Sequence, residues 1–439
     1  MTAGQGGSGG SAGNVLISSN GQSVAVGGNI IADGGAGGGG GIGSAGGSGG
    51  GGGVVTLRGA GSIGSISAIG GNGGTAPAGS PTGLGGSGGE VRVSAPGDIA
   101  LAGAINAYGG LDGAGITRTC CGLIEIEAGG AVTQTAALAT DFLFATGTDV
   151  RLDLSNTVKS LLGSASNGNF TFVNSGNLDL MGVSASGAAV ISAAGNITGT
   201  GFAGLPPAEI PPSAIPFTHA VQGGTGVALT AGGAIGSAAA PLAVSAPALD
   251  ASAAYGIAID LNAFGPMPAT VNTLRNTTTG DILLNAHGGT TITSLVSSPG
   301  NVTINSFSPL EVQQGITAGS GIFLSTAGVL PNGTPPNDMT LNGTFTHGTT
   351  SAFEVTIGSF ATLHLPGGLD LTAPLFPNPL NITKFSFLAG DPLANSIVLA
   401  ASNTATAAIS KTTSFPVALD TVDQKVKKGV DKKAAAVCR

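Results

Sequence analysis

The 439-residue chain has no tryptophan, two tyrosines, three cysteines and only 8% charged residues. Without tryptophan, and nearly without tyrosine, it lacks the aromatic platform on which proteins stack bases or sugars. The formal charge of −8 also argues against a nucleic-acid partner, because phosphate recognition needs a basic surface. The cysteines are Cys120, Cys121 and Cys438. Three cannot all pair within one chain, and their spacing is not that of a zinc site. Adjacent Cys120 and Cys121 are not expected to bond to each other, because a disulfide between neighbours distorts the backbone. One is expected to face inward and one outward where a loop re-enters the fold. No apolar run reaches the roughly 18 residues of a membrane helix, so no transmembrane segment is expected. The opening residues Met1-Thr2-Ala3-Gly4-Gln5-Gly6-Gly7 have neither the basic nor the apolar region of a signal peptide. A secreted reading therefore expects the export signal outside this chain.

What the chain does contain is 80 glycines and 41% hydrophobic residues. Glycine-rich, charge-poor sequences suit flexible linkers. Here the apolar residues come as alternating β-branched runs, and disordered segments are poor in such residues. The decisive feature lies between residues 280 and 325. Gly280-Asp281-Ile282-Leu283-Leu284-Asn285 recurs as Gly300-Asn301-Val302-Thr303-Ile304-Asn305, and more loosely as Ser320-Gly321-Ile322-Phe323-Leu324-Ser325. Ile282, Val302 and Ile322 share one register, and Leu284, Ile304 and Leu324 another. A strand period inside a repeat of about 20 residues marks a solenoid of β-coils. The expected fold is therefore all-β, a parallel β-helix in which these two sets stack as inward rows. Asn285 over Asn305 is expected to form a stacked amide pair that hydrogen-bonds along the axis.

Composition divides the chain. Residues 1–130 carry longer rungs with glycine-rich insertions at 34–53, 70–89 and 109–122. Their Gly-Gly exits at Gly34-Gly35, Gly70-Gly71 and Gly109-Gly110 are 36 and 39 residues apart. Because glycine permits close backbone approach, these insertions either stack as extended chains or remain mobile loops. Residues 131–203 read as compact rungs, with alternation in Val150-Arg151-Leu152-Asp153-Leu154 and turns at Asn167-Gly168 and Ser175-Gly176-Asn177. Residues 204–217 hold five prolines and form a break or a protruding loop. Rungs resume over 218–410, interrupted by a loop at 330–337. Residues 411–439 form a short C-terminal tail of charge +4 on a body of −12. One helix is expected, over 417–437, with Leu419, Val422, Val426 and Val430 on one face. The tail is read as a cap, since lysines cannot fill a rung interior and a terminal repeat needs a polar end.

No catalytic constellation emerges. A phosphate loop needs Gly-Lys-Ser/Thr opening a helix, and that triplet is absent. Gly109-Gly110-Leu111-Asp112-Gly113 hints at a calcium repeat but does not recur, and Ca²⁺ takes six or more oxygens. His219, His287, His347 and His364 stand alone, without metal-ligand spacing. Asp98 and Asp281 sit at strand-opening turns, where aspartate is expected on structural grounds. A polysaccharide-cleaving β-helix would need carboxylates gathered on neighbouring rungs, and Asp281 is succeeded by Asn301 and Ser320. No cofactor, metal or catalytic residue is expected, and the chain is read as no enzyme.

Several phrases resemble those of filamentous-haemagglutinin-like exoproteins of Gram-negative bacteria. They are Gly232-Gly233-Ala234-Ile235-Gly236-Ser237-Ala238-Ala239-Ala240-Pro241-Leu242, Asn156-Thr157-Val158-Lys159-Ser160-Leu161, and Asn169-Phe170-Thr171-Phe172-Val173-Asn174-Ser175-Gly176. The basic, cysteine-containing end Lys432-Lys433-Ala434-Ala435-Ala436-Val437-Cys438-Arg439 is similar too. The glycine-rich part also resembles mycobacterial surface repeats, but its interleaved strands match the first family better. The resemblance covers most of 131–439. It implies a right-handed β-helix at the cell surface or in the medium. It also implies two-partner secretion through an outer-membrane translocator pore, and adhesion to a host-cell or matrix surface. The family's secretion module, with its Asn-Pro-Asn-type motifs, has no counterpart here. In some members two C-terminal cysteines close an anchoring loop, whereas here Cys438 is the sole candidate anchor at that end.

Overall fold

The computed structural model describes residues 4–19, 24–200, 219–263, 267–326, 337–348, 353–358, 361–365, 369–372, 383–387, 397–400 and 408–409. The proline-rich stretch 204–217, most of the loop at 330–337, the helix expected over 417–437, the tail 411–439 and Cys438 lie outside the described residues. Among the described residues every regular element is a strand, and none is a helix. The chain divides into two compact units, Met1–Gly233 and Ala234–Arg439.

In the first unit each rung lies parallel on the one before, residue over residue. Val15 pairs with Val55, Val55 with Val91, Val91 with Ile124, Ile124 with Leu143, Leu143 with Leu161, and Leu161 with Leu180. From Val55 onward every member of this row is 0% exposed. The successive steps, read from those residue numbers, are 40, 36, 33, 19, 18 and 19 residues. A glycine-bearing rung is thus a compact rung of about 19 residues with an excursion added at one corner. Alternation puts the next side chain outside, as in Val54–Arg58 and Glu90–Ala95, so one strand face makes the core and the other meets solvent.

In the second unit two such rows run side by side. One holds Ile235, Ile257, Ile282, Val302, Ile322 and Phe353; the other holds Leu242, Ile259, Leu284, Ile304, Leu324 and Val355. All twelve are buried. Burying each such side chain contributes about 1.5–3 kcal/mol, and β-branched residues suit the pleat. The opposite wall repeats the device with Leu249, Val271, Ile292, Val312 and Leu341. The architecture is a β-solenoid.

Corners are held by a side-chain ladder. Asp281 Oδ1 accepts the Asn301 N–H at 2.7 Å, and Asn301 Oδ1 accepts the Gly321 N–H at 2.9 Å. Asp149, Asn169 and Ala188 repeat the arrangement in the first unit, each bond 2.8 Å. Asp and Asn recur at the corner because a carboxylate or amide oxygen reaches the N–H of the next rung's turn. Parallel pairing stops at Thr362–Leu365. Leu369–Thr372 folds back antiparallel on it, and Thr383–Phe387 pairs antiparallel with Phe353–Ile357. Part of the span read as rungs to 410 therefore has a different pairing, one that covers the edge of the parallel stack.

Substituting Ile304→Asp places an uncompensated charge between Leu284 and Leu324. Chemical denaturation should show a loss of about 4 kcal/mol or more, while Thr303→Asp, on the outward face, should cost under about 1 kcal/mol.

Candidate functional site

The glycine-rich insertions build a second body beside the coil. Their backbone hydrogen bonds recur every three residues. Gly34, Gly37 and Gly40 donate to Ile69, Asn72 and Thr75; Gly46, Gly49 and Gly52 donate to Pro81, Leu84 and Ser87. These bonds join like limbs of successive insertions in parallel. A second set joins limbs running in opposite directions: Gly47 and Gly50 donate to Gly38 and Gly35, Gly71 and Gly74 to Gly50 and Gly47, and Gly83 and Gly86 to Gly74 and Gly71. The outgoing limbs 34–42, 70–76 and 109–113 form one layer. The returning limbs 45–53 and 81–89, with residues 4–13 in the same series, form the other. Bonds at a three-residue step, none of them within a limb, are the geometry of the polyproline-II helix. One left-handed glycine turns each tip: Gly43, Gly79 and Gly115, at φ 75°, 85° and 73°.

Sterics explain the composition. A Cβ at Gly74 would sit 1.9 Å from the Gly38 carbonyl oxygen, at Gly83 1.9 Å from that of Gly47, and at Gly86 1.9 Å from that of Gly50. At interior positions such as Gly46, Gly47, Gly49, Gly50, Gly73, Gly74, Gly85 and Gly86, two of every three residues are closed to a side chain, and the third is open to one. Gln5, Ser8, Ser11, Ser48, Leu84 and Ser87 are exposed on the returning layer, and Ala36, Asn72 and Thr75 on the outgoing one. The signal in the sequence is a Gly-Gly-X triplet. It escapes a search for strand and helix periods, because its period is neither two nor 3.6.

One end of this body is closed by side chains. The Arg118 guanidinium lies 4.1 Å from the centre of the Tyr108 ring and donates to the Gly109 carbonyl at 3.0 Å. Cys120 and Cys121 are joined by a disulfide, which corrects the expectation that they would not pair. In an extended chain neighbouring side chains point to opposite faces. Cys121 instead has a left-handed φ of 90°, which turns both sulfurs to one side. Buried Asp141 accepts the N–H groups of Cys121 and Gly122 at 3.0 and 3.1 Å and is paired with Lys159. At the tip, the Ile116 N–H bond to Asp112, 2.9 Å long, is the main reason that carboxyl is held below its ordinary range.

The positions singled out in the sequence fall as follows. Ile282, Val302, Ile322, Leu284, Ile304 and Leu324 lie in the two buried rows. Asn305 donates to Asn285 Oδ1 at 2.9 Å, and Asn285 donates to Asp260 at 2.6 Å. Asp98 Oδ1 accepts the Ala131 N–H at 2.8 Å. His287 stacks on Phe307 with ring centres 5.0 Å apart, and His347 meets Phe353 edge-on at 6.2 Å. His364 Nδ1 lies 2.8 Å from Asp370, and burial pushes His219 down from its ordinary pKa. Among the described residues no three His, Cys, Asp or Glu side chains gather to hold a metal. The second unit does contain an open groove of about 650 Å³ whose lining includes Glu311, Asp338 and His364. Thr291, Glu311, Thr340 and His364 lie in register on successive strands beneath it, a grouping that a scan for repeated Asp misses.

No family model, curated protein or solved structure matches the chain.

Ala at Gly74 should destabilise the first unit by about 2 kcal/mol, because backbone on both sides cannot give way. Ala at Gly39, where the nearest atom to a Cβ is the Thr75 hydroxyl at 3.6 Å, should be neutral or stabilise by about 0.5 kcal/mol. Thermal unfolding of the two variants checks the difference.

Proposed function

We propose that this chain is a non-catalytic segment of a secreted bacterial surface fibre, adhesive or matrix-forming, wound as a right-handed coil. The observation that carries the reading is the Gly-Gly-X body: a rigid backbone lattice that holds small side chains outward at regular steps along a parallel stack. Repeated contacts of low individual strength add up along such a surface. The phrases shared with filamentous-haemagglutinin-like exoproteins support export through an outer-membrane pore and residence at the cell surface. No helix among the described residues is long and apolar enough to cross a membrane. The tail with Cys438 is read as a cap, with retention at that surface as its rival role.

The rival is a polysaccharide-cleaving enzyme, favoured by the groove that brings Glu311, Asp338 and His364 together. Glycoside hydrolysis needs a carboxyl pair that divides the acid and base roles. Glu311 and Asp338 are the candidates, yet Asp338 Oδ1 is engaged by the Thr362 N–H at 2.7 Å, the bond expected of a corner aspartate. The purified protein should coat cells or matrix and release no reducing ends from acidic polysaccharides. Release that disappears in both Glu311→Gln and Asp338→Asn would establish the enzyme instead. Removing residues 415–439 from an exported form should leave the division between cell surface and medium unchanged if the tail is a cap, and a shift to the medium would establish retention instead.

A further inference from the structure

The third glycine insertion re-enters the coil through Cys120, Cys121 and Gly122, and the path there is narrow. A Cβ at Gly122 would lie 1.5 Å from the Ala107 carbonyl oxygen, and one at Gly109 1.8 Å from that of Thr119. The corner lies well inside the stretch 24–200, which is described without a gap. Cys121 is the one described residue other than glycine with a left-handed backbone, at φ 90°. A Cβ makes that conformation costly. Two features hold it there. The disulfide draws both sulfurs to one side, and the buried Asp141 carboxylate accepts the N–H groups of Cys121 and Gly122.

The same corner fastens the third insertion to the second. The Cys120 carbonyl accepts the Gly88 N–H at 3.3 Å, and the Thr119 hydroxyl donates to the Gly85 carbonyl at 2.9 Å. The Thr119 N–H closes the insertion on itself, donating to Gly110 at 2.9 Å. A disulfide ordinarily stabilises by closing a loop, and the gain grows with the loop's length. Here no residue lies between the two cysteines, so that gain is minimal, and what the bond fixes is the local turn. Both cysteines are also exposed. An exposed disulfide across a strained backbone is of the kind that external thiols reach and reduce.

We propose that Cys120–Cys121 is a thiol–disulfide exchange site open to dithiol reductants, and that it latches the third insertion in place. A thiolate of the dithiol attacks one of the two sulfurs. The Cys120–Cys121 bond breaks as a mixed disulfide forms, and the other cysteine leaves as a thiolate and takes up a proton. The second thiol of the reductant then closes its own disulfide and releases the remaining cysteine. Two electrons and two protons pass from the dithiol to the pair. With the bond open, Cys121 relaxes to an extended backbone, in which neighbouring side chains face opposite ways. Its N–H and that of Gly122 leave Asp141, and the Cys120 carbonyl leaves Gly88. The glycine body loosens at this end, while the buried rows of the coil keep their register. The inference goes beyond the fibre reading and does not depend on it.

The test uses the full-length protein, with peptide mapping to separate the pair from Cys438. Dithiothreitol, without denaturant, should open both Cys120 and Cys121 to alkylation by iodoacetamide. Amide exchange at Gly88, Cys121 and Gly122 should then quicken about tenfold or more. Gly47 and Gly50 should keep their rates, which reports that the rest of the body is intact. Cys120→Ser with Cys121→Ser should show the fast exchange with or without reductant. Cys121→Gly, which takes the left-handed turn without strain, should keep it slow in both conditions. A pair that resists dithiothreitol in the folded protein would overturn the exchange site. Unchanged amide exchange after reduction would overturn the latch, as would a double serine variant as protected as the oxidised protein. Exchange in Cys121→Gly as fast as in the double serine variant would overturn it too.

Discussion

Backbone hydrogen bonds between one rung and the next, held in register, are the constraint on which the rest of this protein depends. A parallel ladder needs the same residue over the same residue at each step. The inward rows from Val15 to Leu180 and from Ile235 to Phe353 meet that need with Val, Ile, Leu and Phe. Corner aspartates and asparagines, such as Asp281 and Asn301, fix where each strand begins. A slip of one residue would turn every buried side chain outward. The register is therefore strongly specified although the chain has few charges and the described residues few ion pairs to help.

The glycine body obeys the same rule with a different backbone. In the strands, side chains alternate and the core is made of them. In the Gly-Gly-X limbs, two positions in three carry none, and backbone packs directly on backbone. Stability there comes from satisfied amides; Gly71, Gly74 and Gly86 are buried. Glycine loses more entropy on ordering than any other residue. The lattice offsets this by dividing the bonds: Gly34, Gly37, Gly46 and Gly49 donate within their own layer, while Gly47, Gly50, Gly71 and Gly74 both donate and accept across to the other. The insertions are thus an extension of the solenoid's stacking by other means.

Much of this was legible in the sequence. The 20-residue register at 280–325 is visible because the loops there are short, so strand spacing is constant. The compact rungs at 131–203 show through alternation alone. The insertions left two readings open, stacked or mobile, because no hydrophobic residue anchors them; the backbone bonds anchor them instead. Bonding of Cys120 to Cys121 depends on a left-handed Cys121, which no spacing reveals. The switch to antiparallel pairing after Leu365 leaves no mark in the alternation, since a strand alternates alike in either sense. The groove residues Glu311, Asp338 and His364 come together only through register across strands far apart in sequence.

Amide hydrogen exchange on protein labelled at glycine tests the central claim most directly, because the claim concerns backbone bonds. Gly47, Gly50, Gly74 and Gly86, each donating across the two layers, should be protected by about a thousandfold or more. The tip glycines Gly43 and Gly79 should exchange freely. Exchange of all six at the rate of an unstructured peptide would contradict the account and reduce the insertions to loops on a β-solenoid.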